Sequence, residues 1–271
     1  STGDASLEAW RDLSVKTVNA GGALNLSVLG DLTVAGDVLS AQGQSVQVQG
    51  DVSQDALTLV KATAGDVKWT SARGTWTQED TASLIAEAAD AQIWITADQQ
   101  LNVAAAQAAV VGLRSVSASV VGVGNHAVVD AAGLWLQAGE AVGAAVSAGG
   151  ENSLSASAPG LWVDTAAVAG DSVGLFKVNS DASLRVGVVA ADAAGGTGVQ
   201  TTGGGDIVLS ASAAGASIDV LQTAVSGVNL DVAGMLRTDA EIFINAYAGL
   251  RLVNAQGADA AGSLGRANLG V

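Results

Sequence analysis

The sequence predicts an all-β fold: an elongated parallel β-helix, or β-solenoid, with coils of about twenty residues. Three observations predict it. Pairs of alternating apolar residues recur at a step of eight, as in Leu24/Leu26 then Leu32/Val34, Ile93/Ile95 then Leu101/Val103, Phe176/Val178 then Leu184/Val186, and Ile242/Ile244 then Leu250/Leu252. Residues two apart on a strand share a face, so each pair marks a short strand and the polar residues between pairs mark a corner. Strand-like segments are also centred roughly every ten residues along most of the chain. Finally, 49% of the residues are hydrophobic while only 3% are aromatic, which suits a narrow interior lined by Ala, Val, Leu and Ile.

Residues 1–20 are the least regular and read as a capping or lead-in segment. Leu7, Trp10 and Leu13 have helical spacing, so a short amphipathic helix or a single strand over the first coil is expected there. Residues 21–256 read as the β-helix, in roughly a dozen coils. Its strands begin with Leu24–Val28, Asp31–Val34, Ser45–Gln49, Ala56–Val60 and Asp66–Thr70. Ser83–Ala86, Gln92–Thr96, Gln100–Ala104, Val110–Val116 and Ala127–Asp130 follow, and the series runs on to Leu250–Asn254. Thr81–Ala88 and Asn102–Gln107 carry helix-favouring alanines, but their neighbours place them as strand or corner. Residues 257–271 read as an extension or an interrupted coil.

Gly-Asp pairs at Gly30, Gly36, Gly50, Gly65, Gly170 and Gly205 mark many corners. Glycine reaches positive φ without strain and Asp bonds nearby backbone, so both suit a sharp turn. An antiparallel sandwich also has a strand every ten residues. Its hairpins favour Asn-Gly or Asp-Gly, whereas here Gly comes first.

Ile93–Val103, Glu241–Asn254 and the phrase Gly205-Asp206-Ile207-Val208-Leu209-Ser210-Ala211 resemble the repeats of filamentous-haemagglutinin-like proteins and other large bacterial surface adhesins. The resemblance covers residues 22–255 in style. It implies a right-handed β-helix, an extracellular or cell-surface location, and a structural or adhesive role. Phrases such as Leu24–Val34 also resemble the trimeric β-helical spikes of phage tails and type VI secretion needles, where three chains intertwine. Ala/Gly-rich insertions such as Ala190–Gly198 fit a chain that closes its own coils.

The 11 basic and 26 acidic residues give a net charge of −15, which disfavours nucleic acid and anionic membrane surfaces. The absence of cysteine excludes disulfides and thiolate metal sites. Val103–Leu113 is the most apolar run, and Gln107 and Arg114 interrupt and end it, so no membrane span is expected. The first residues, Ser-Thr-Gly-Asp, do not read as a signal peptide.

Chemistry offers few candidates. His126 is the sole histidine and lies in a corner, so a Ser-His-Asp triad has one possible base. Carboxylates are many, and β-helices host polysaccharide lyases and glycosidases, yet nearly every Asp has a corner explanation. Gly203–Leu209 resembles one copy of the calcium-binding β-roll nonapeptide, which requires tandem copies. The expectation is therefore no catalytic residue, no metal site and no cofactor, with loosely held calcium at Asp corners as the remaining option.

One feature stands out from the repeat. Trp94, Trp135, Trp162 and Phe243 each sit between two aliphatic residues, and if those face inward the ring points outward. Trp94 and Trp135 are 41 residues apart, near two coils, while the step of 27 to Trp162 requires an insertion, with Ala144–Asn152 as a candidate. These four residues are the expected interface, since aromatics anchor contact surfaces. The expected function is a non-enzymatic structural or adhesive fibre that self-associates through coil ends and this aromatic face, with surface glycans as a further partner. A carbohydrate-active β-helix enzyme and the shaft of a trimeric spike are the alternatives.

Overall fold

The computed structural model describes residues 2–123 and 128–140, and beyond them the backbone of ten short strands between Leu154 and Asn254. The described residues contain no helix and wind into a parallel β-solenoid of about six turns, with coils about 20 residues apart. Each coil has three strands rather than the two expected. The first holds β1 (Ala5–Ala9), β2 (Leu13–Val15) and β3 (Val18–Ala20); the second holds β4 (Leu24–Val28), β5 (Leu32–Val34) and β6 (Val38–Ser40). The third is β7 (Gln44–Val48), β8 (Val52–Gln54) and β9 (Leu59–Ala62), and the fourth is β10 (Val67–Ser71), β11 (Trp76–Gln78) and β12 (Ser83–Ala86). The fifth opens with β13 (Gln92–Ala97) and β14 (Leu101–Val103). Then β15 (Ala105–Ser115) rounds a corner to close that coil and open the next. After β16 (Val120–Gly122), β17 (Val128–Ala138) rounds the same corner again.

One chain thus supplies all three faces. The first face stacks β1, β4, β7, β10 and β13 with the later halves of β15 and β17; the second stacks β2, β5, β8, β11, β14 and β16; the third stacks β3, β6, β9 and β12 with the earlier halves of β15 and β17. Residues 5–20 are a full coil in register with the next, Leu7 opposite Leu26 and Val15 opposite Val34. Neither a helix nor a single strand forms there: three short strands pair with the second coil, Leu13 packs against the core and Leu7 stays exposed on the first coil.

The ten later strands continue the ladders. They are β18 (Leu154–Ser157), β19 (Gly160–Thr165), β20 (Phe176–Ser180), β21 (Leu184–Val186), β22 (Val199–Thr201), β23 (Ile207–Ala211), β24 (Ile218–Gln222), β25 (Leu236–Arg237), β26 (Ile242–Ala246) and β27 (Leu250–Asn254).

Strand alternation makes the core. Leu24, Leu26 and Val28 are buried and Asn25 and Ser27 exposed; in β13, Ile93, Ile95 and Ala97 are buried. Each interior position repeats along the axis, as in Leu32, Val52, Trp76, Leu101 and Val120. Trp69 and Trp76 are fully buried, so two of the large rings fill the interior where the fourth coil widens.

Aspartates tie coil to coil at the corners. Asp12 Oδ1 accepts the Asp31 N–H at 3.0 Å, Asp31 Oδ1 accepts the Asp51 N–H at 2.8 Å, and Asp51 Oδ1 accepts the Thr75 N–H at 2.7 Å. Asp37 does the same for Leu59 and Asp66 for Gln92. This changes the reason for the Gly-Asp pairs. Gly65, at φ 118, is the one described glycine in the left-handed range. At Gly50, by contrast, an added Cβ would sit 2.0 Å from the Asp31 carboxylate, so there glycine makes room for the side chain of the coil before.

The corner before the third face is longer in coils three and four. Val34 to Val38 spans it in coil two, whereas Gln54 to Val60, Val38's partner, is two residues longer. Leu57 (φ 63) and Thr81 (φ 69) adopt left-handed backbone in the two widened corners. Buried glutamines fill the space behind them. Gln54 Nε2 donates to the carbonyls of Thr58 and Ser83, and Gln78 Oε1 accepts the N–H groups of Ala104 and Ala105. A polar side chain is tolerated in this core because it satisfies backbone groups that the ladder leaves over.

Candidate functional site on the outer first face

The first face carries the most distinctive outer surface. Its central outward position reads Ser6, Asn25, Ser45, Lys68, Trp94 and Gly112 along the ladder, and the register continues to Trp135 and Trp162. Three of the four aromatics expected at an interface therefore occupy one register line, interrupted by Gly112. Trp135 pairs directly with Trp162, a step of 27 along the ladder. Phe243 lies elsewhere: it pairs with Val208, which pairs with Lys177, in the ladder that β18 joins to the third-face half of β17.

The setting of Trp94 is well defined. It alternates with the buried Ile93 and Ile95, which places it outward, and it is half-buried. A Cβ added at Gly112 would meet its Cε3 at 2.0 Å and its Cζ3 at 2.1 Å. The six-membered ring therefore lies over the glycine of the next strand, in a notch that no other residue leaves. Its Nε1 donates to Gln92 Oε1 at 2.7 Å, which sets the rotation of the ring. Neither Gln92 nor Gly112 stood out in the sequence, because the register of the next coil must be known before their contact with Trp94 is visible.

Charge is organised around the ring. Lys68 is Trp94's register partner on one side, and Arg114 is the partner of Thr96, two residues along on the other side. Both are exposed. Lys68 Nζ lies 2.9 Å from Asp66 Oδ2, a surface pair of the kind worth about 0–1 kcal/mol. The outward positions of β10, β13 and the first-face half of β15 contain no carboxylate.

A second concavity, of about 580 Å³, lies at the corner between the third and first faces, lined by Ile85, Glu87, Ala88, Gln107, Ala109 and Ala131. Glu87 is its one carboxylate and is ion-paired with Lys61 at 2.5 Å. Paired carboxylates, the arrangement glycoside hydrolysis needs, are not present in that lining. No group of three or more His, Asp or Glu residues placed to hold a metal occurs among the described residues, and no described helix is long and apolar enough to cross a membrane. His126 and Gly203–Gly205 lie outside the described residues.

The fold and surface together define a parallel β-solenoid with Trp94 on one outer face. Compared with protein-family models, with curated proteins and with solved structures, the chain matches none.

Proposed function

We propose that the protein is a non-enzymatic structural or adhesive fibre of the cell surface or extracellular space. It acts through its length, associating with further copies through coil ends and making its lateral contacts through the outer aromatic face. The observation that carries this reading is Trp94, a large ring held flat on the outside of the solenoid, over Gly112 and in register with Trp135 and Trp162. Aromatic rings on a protein surface serve contact surfaces more often than chemistry. The Asp-rich corners, which would have supplied catalytic or calcium-binding groups, spend their carboxylates on inter-coil hydrogen bonds.

The test is the double variant Trp94→Ser/Trp135→Ser. It should lose assembly, followed as mass by light scattering, or retention on immobilised glycans, while its β-sheet circular dichroism is unchanged. Unaltered mass and retention would remove the aromatic face from the function. Collapse of the circular dichroism would show that the rings are structural. Release of products from a polysaccharide panel would identify an enzyme instead.

A further inference from the structure

Two buried side-chain atoms have no hydrogen-bond partner among the described residues: the acceptor Gln54 Oε1 and the donor Trp76 Nε1. Leaving either unmet in a dry core is costly, and buried polar groups in folded proteins are nearly always paired. We infer that one water molecule is a fixed part of the core between coils three and four, accepting the Trp76 indole N–H and donating to Gln54 Oε1.

The ladder makes the two residues diagonal neighbours. Trp76 lies opposite Val52, and Gln54 follows Val52 by two residues on β8. Both occupy inward positions of their strands. Their Cα atoms are therefore about 8 Å apart, and both side chains are long. A water bonded to each partner spans about 5.7 Å between them. Trp69 and Gln44 form a diagonal of the same kind, since Gln44 lies opposite Val67, two residues before Trp69. That pair closes directly, Nε1 to Oε1 at 3.3 Å. In the second pair Gln54 Nε2 is held by the carbonyls of Thr58 and Ser83 at 3.1 Å each, and the direct bond is not made. Those two acceptors also fix which end of the amide is the oxygen.

The surroundings select the ligand. It must accept at one end and donate at the other, as water does. The buried polar residues among those described are serines, glutamines and a threonine, none of them charged, so the site does not call for an ion. Gln54 and Trp76 are each 0% exposed, which suits an enclosed molecule of one heavy atom. Buried waters in proteins typically bond to such otherwise unmet groups. The water would join coil three to coil four through the interior, beside the widened corners. In Trp76→Phe it would stay on Gln54, so the amide oxygen remains met.

The experiment is a pair of water-selective NOE and ROE spectra of the full chain, read at the assigned indole N–H signals of Trp76 and Trp69. A held water gives cross-peaks of opposite sign in the two spectra, whereas proton exchange with solvent gives the same sign in both. Trp76 should show the signature of a held water. Trp69, bonded to Gln44, should show none. Gln54→Leu should remove the Trp76 peak. No peak at Trp76, or only an exchange peak, overturns the inference: the core there is dry. Equal peaks at both indoles overturn it too, since solvent would then fill the coil rather than one place. A Trp76 peak that survives Gln54→Leu unchanged puts the water elsewhere and refutes the bridge. The comparison of the two indoles needs no variant, so it decides the matter even where Gln54→Leu fails to fold.

Discussion

Asp31 accepts the backbone N–H of Asp51, one coil further on, at 2.8 Å. Asp51 in turn accepts from Thr75, so each carboxylate continues a line of bonds that the β-ladders leave open at the corner. The bond needs an acceptor in that place more than it needs a charge. Asp31→Asn should therefore be close to neutral, and Asp31→Ala should destabilise by about 0.5–1.5 kcal/mol, the net worth of a hydrogen bond at this exposed corner. Urea unfolding of the two variants side by side separates them.

Gly50 tests the same contact from the other partner. Gly50→Ala should destabilise because its Cβ meets the Asp31 carboxylate, and the double variant Gly50→Ala/Asp31→Ala should lose less stability than the two single effects added. Gly65→Ala should show no such rescue from any neighbouring truncation, since its φ of 118 is itself the obstacle. A double-mutant cycle of melting temperatures reads the difference.

Gly112→Ala should displace the Trp94 ring without unfolding the solenoid. The indole N–H of Trp94, assigned by comparison with Trp94→Phe, should shift in the NMR spectrum as its bond to Gln92 is lost. An unchanged indole signal would mean the notch does not set the ring.

The two buried tryptophans should respond differently to loss of the indole nitrogen. Trp69 Nε1 donates to Gln44 Oε1 at 3.3 Å, whereas Trp76 Nε1 has no hydrogen-bond partner among the described residues. Both changes to Phe remove volume, but Trp69→Phe also leaves Gln44 Oε1 without its donor. It should cost about 1 kcal/mol more than Trp76→Phe, measured as the difference in chemical-denaturation midpoints at equal slope.

Gln54→Leu should destabilise although it makes the core more apolar. The amide bonds the carbonyls of Thr58 and Ser83 behind a widened corner; Thr58 keeps its bond from the Ser83 N–H, but leucine removes the amide's bond to each carbonyl, at about 1–3 kcal/mol in all. Hydrogen exchange should rise at Thr58 and its neighbours before it rises in β8.

The step of eight made two faces legible where both strands alternate, as in Ile93–Val103. The third face was legible only in part: Ser83–Ala86 reads as a strand and is β12, whereas β6 does not. Val38–Ser40 carries a single aliphatic residue inside and a buried serine, too little alternation to register, and β8 and β11 end in buried glutamines. Polar letters at core positions broke the pattern at the places where corners widen. The outward placement of Trp94 followed from its flanking isoleucines. Its neighbours did not, since Lys68, Gly112 and Arg114 come to it from other coils at separations that vary with every corner.

Between β1 and β19 the step from one coil to the next on the first face varies from 18 residues between Ile93 and Val111 to 27 between Leu134 and Leu161, yet each step occupies one strand spacing along the axis. The molecule's height therefore counts turns and ignores how many residues each turn contains. Extra sequence goes outward at a corner and leaves the pitch untouched. A fibre built this way keeps a fixed ruler along its axis, and any residue on a face, Trp94 included, stays at its set height while the corners around it lengthen or shorten.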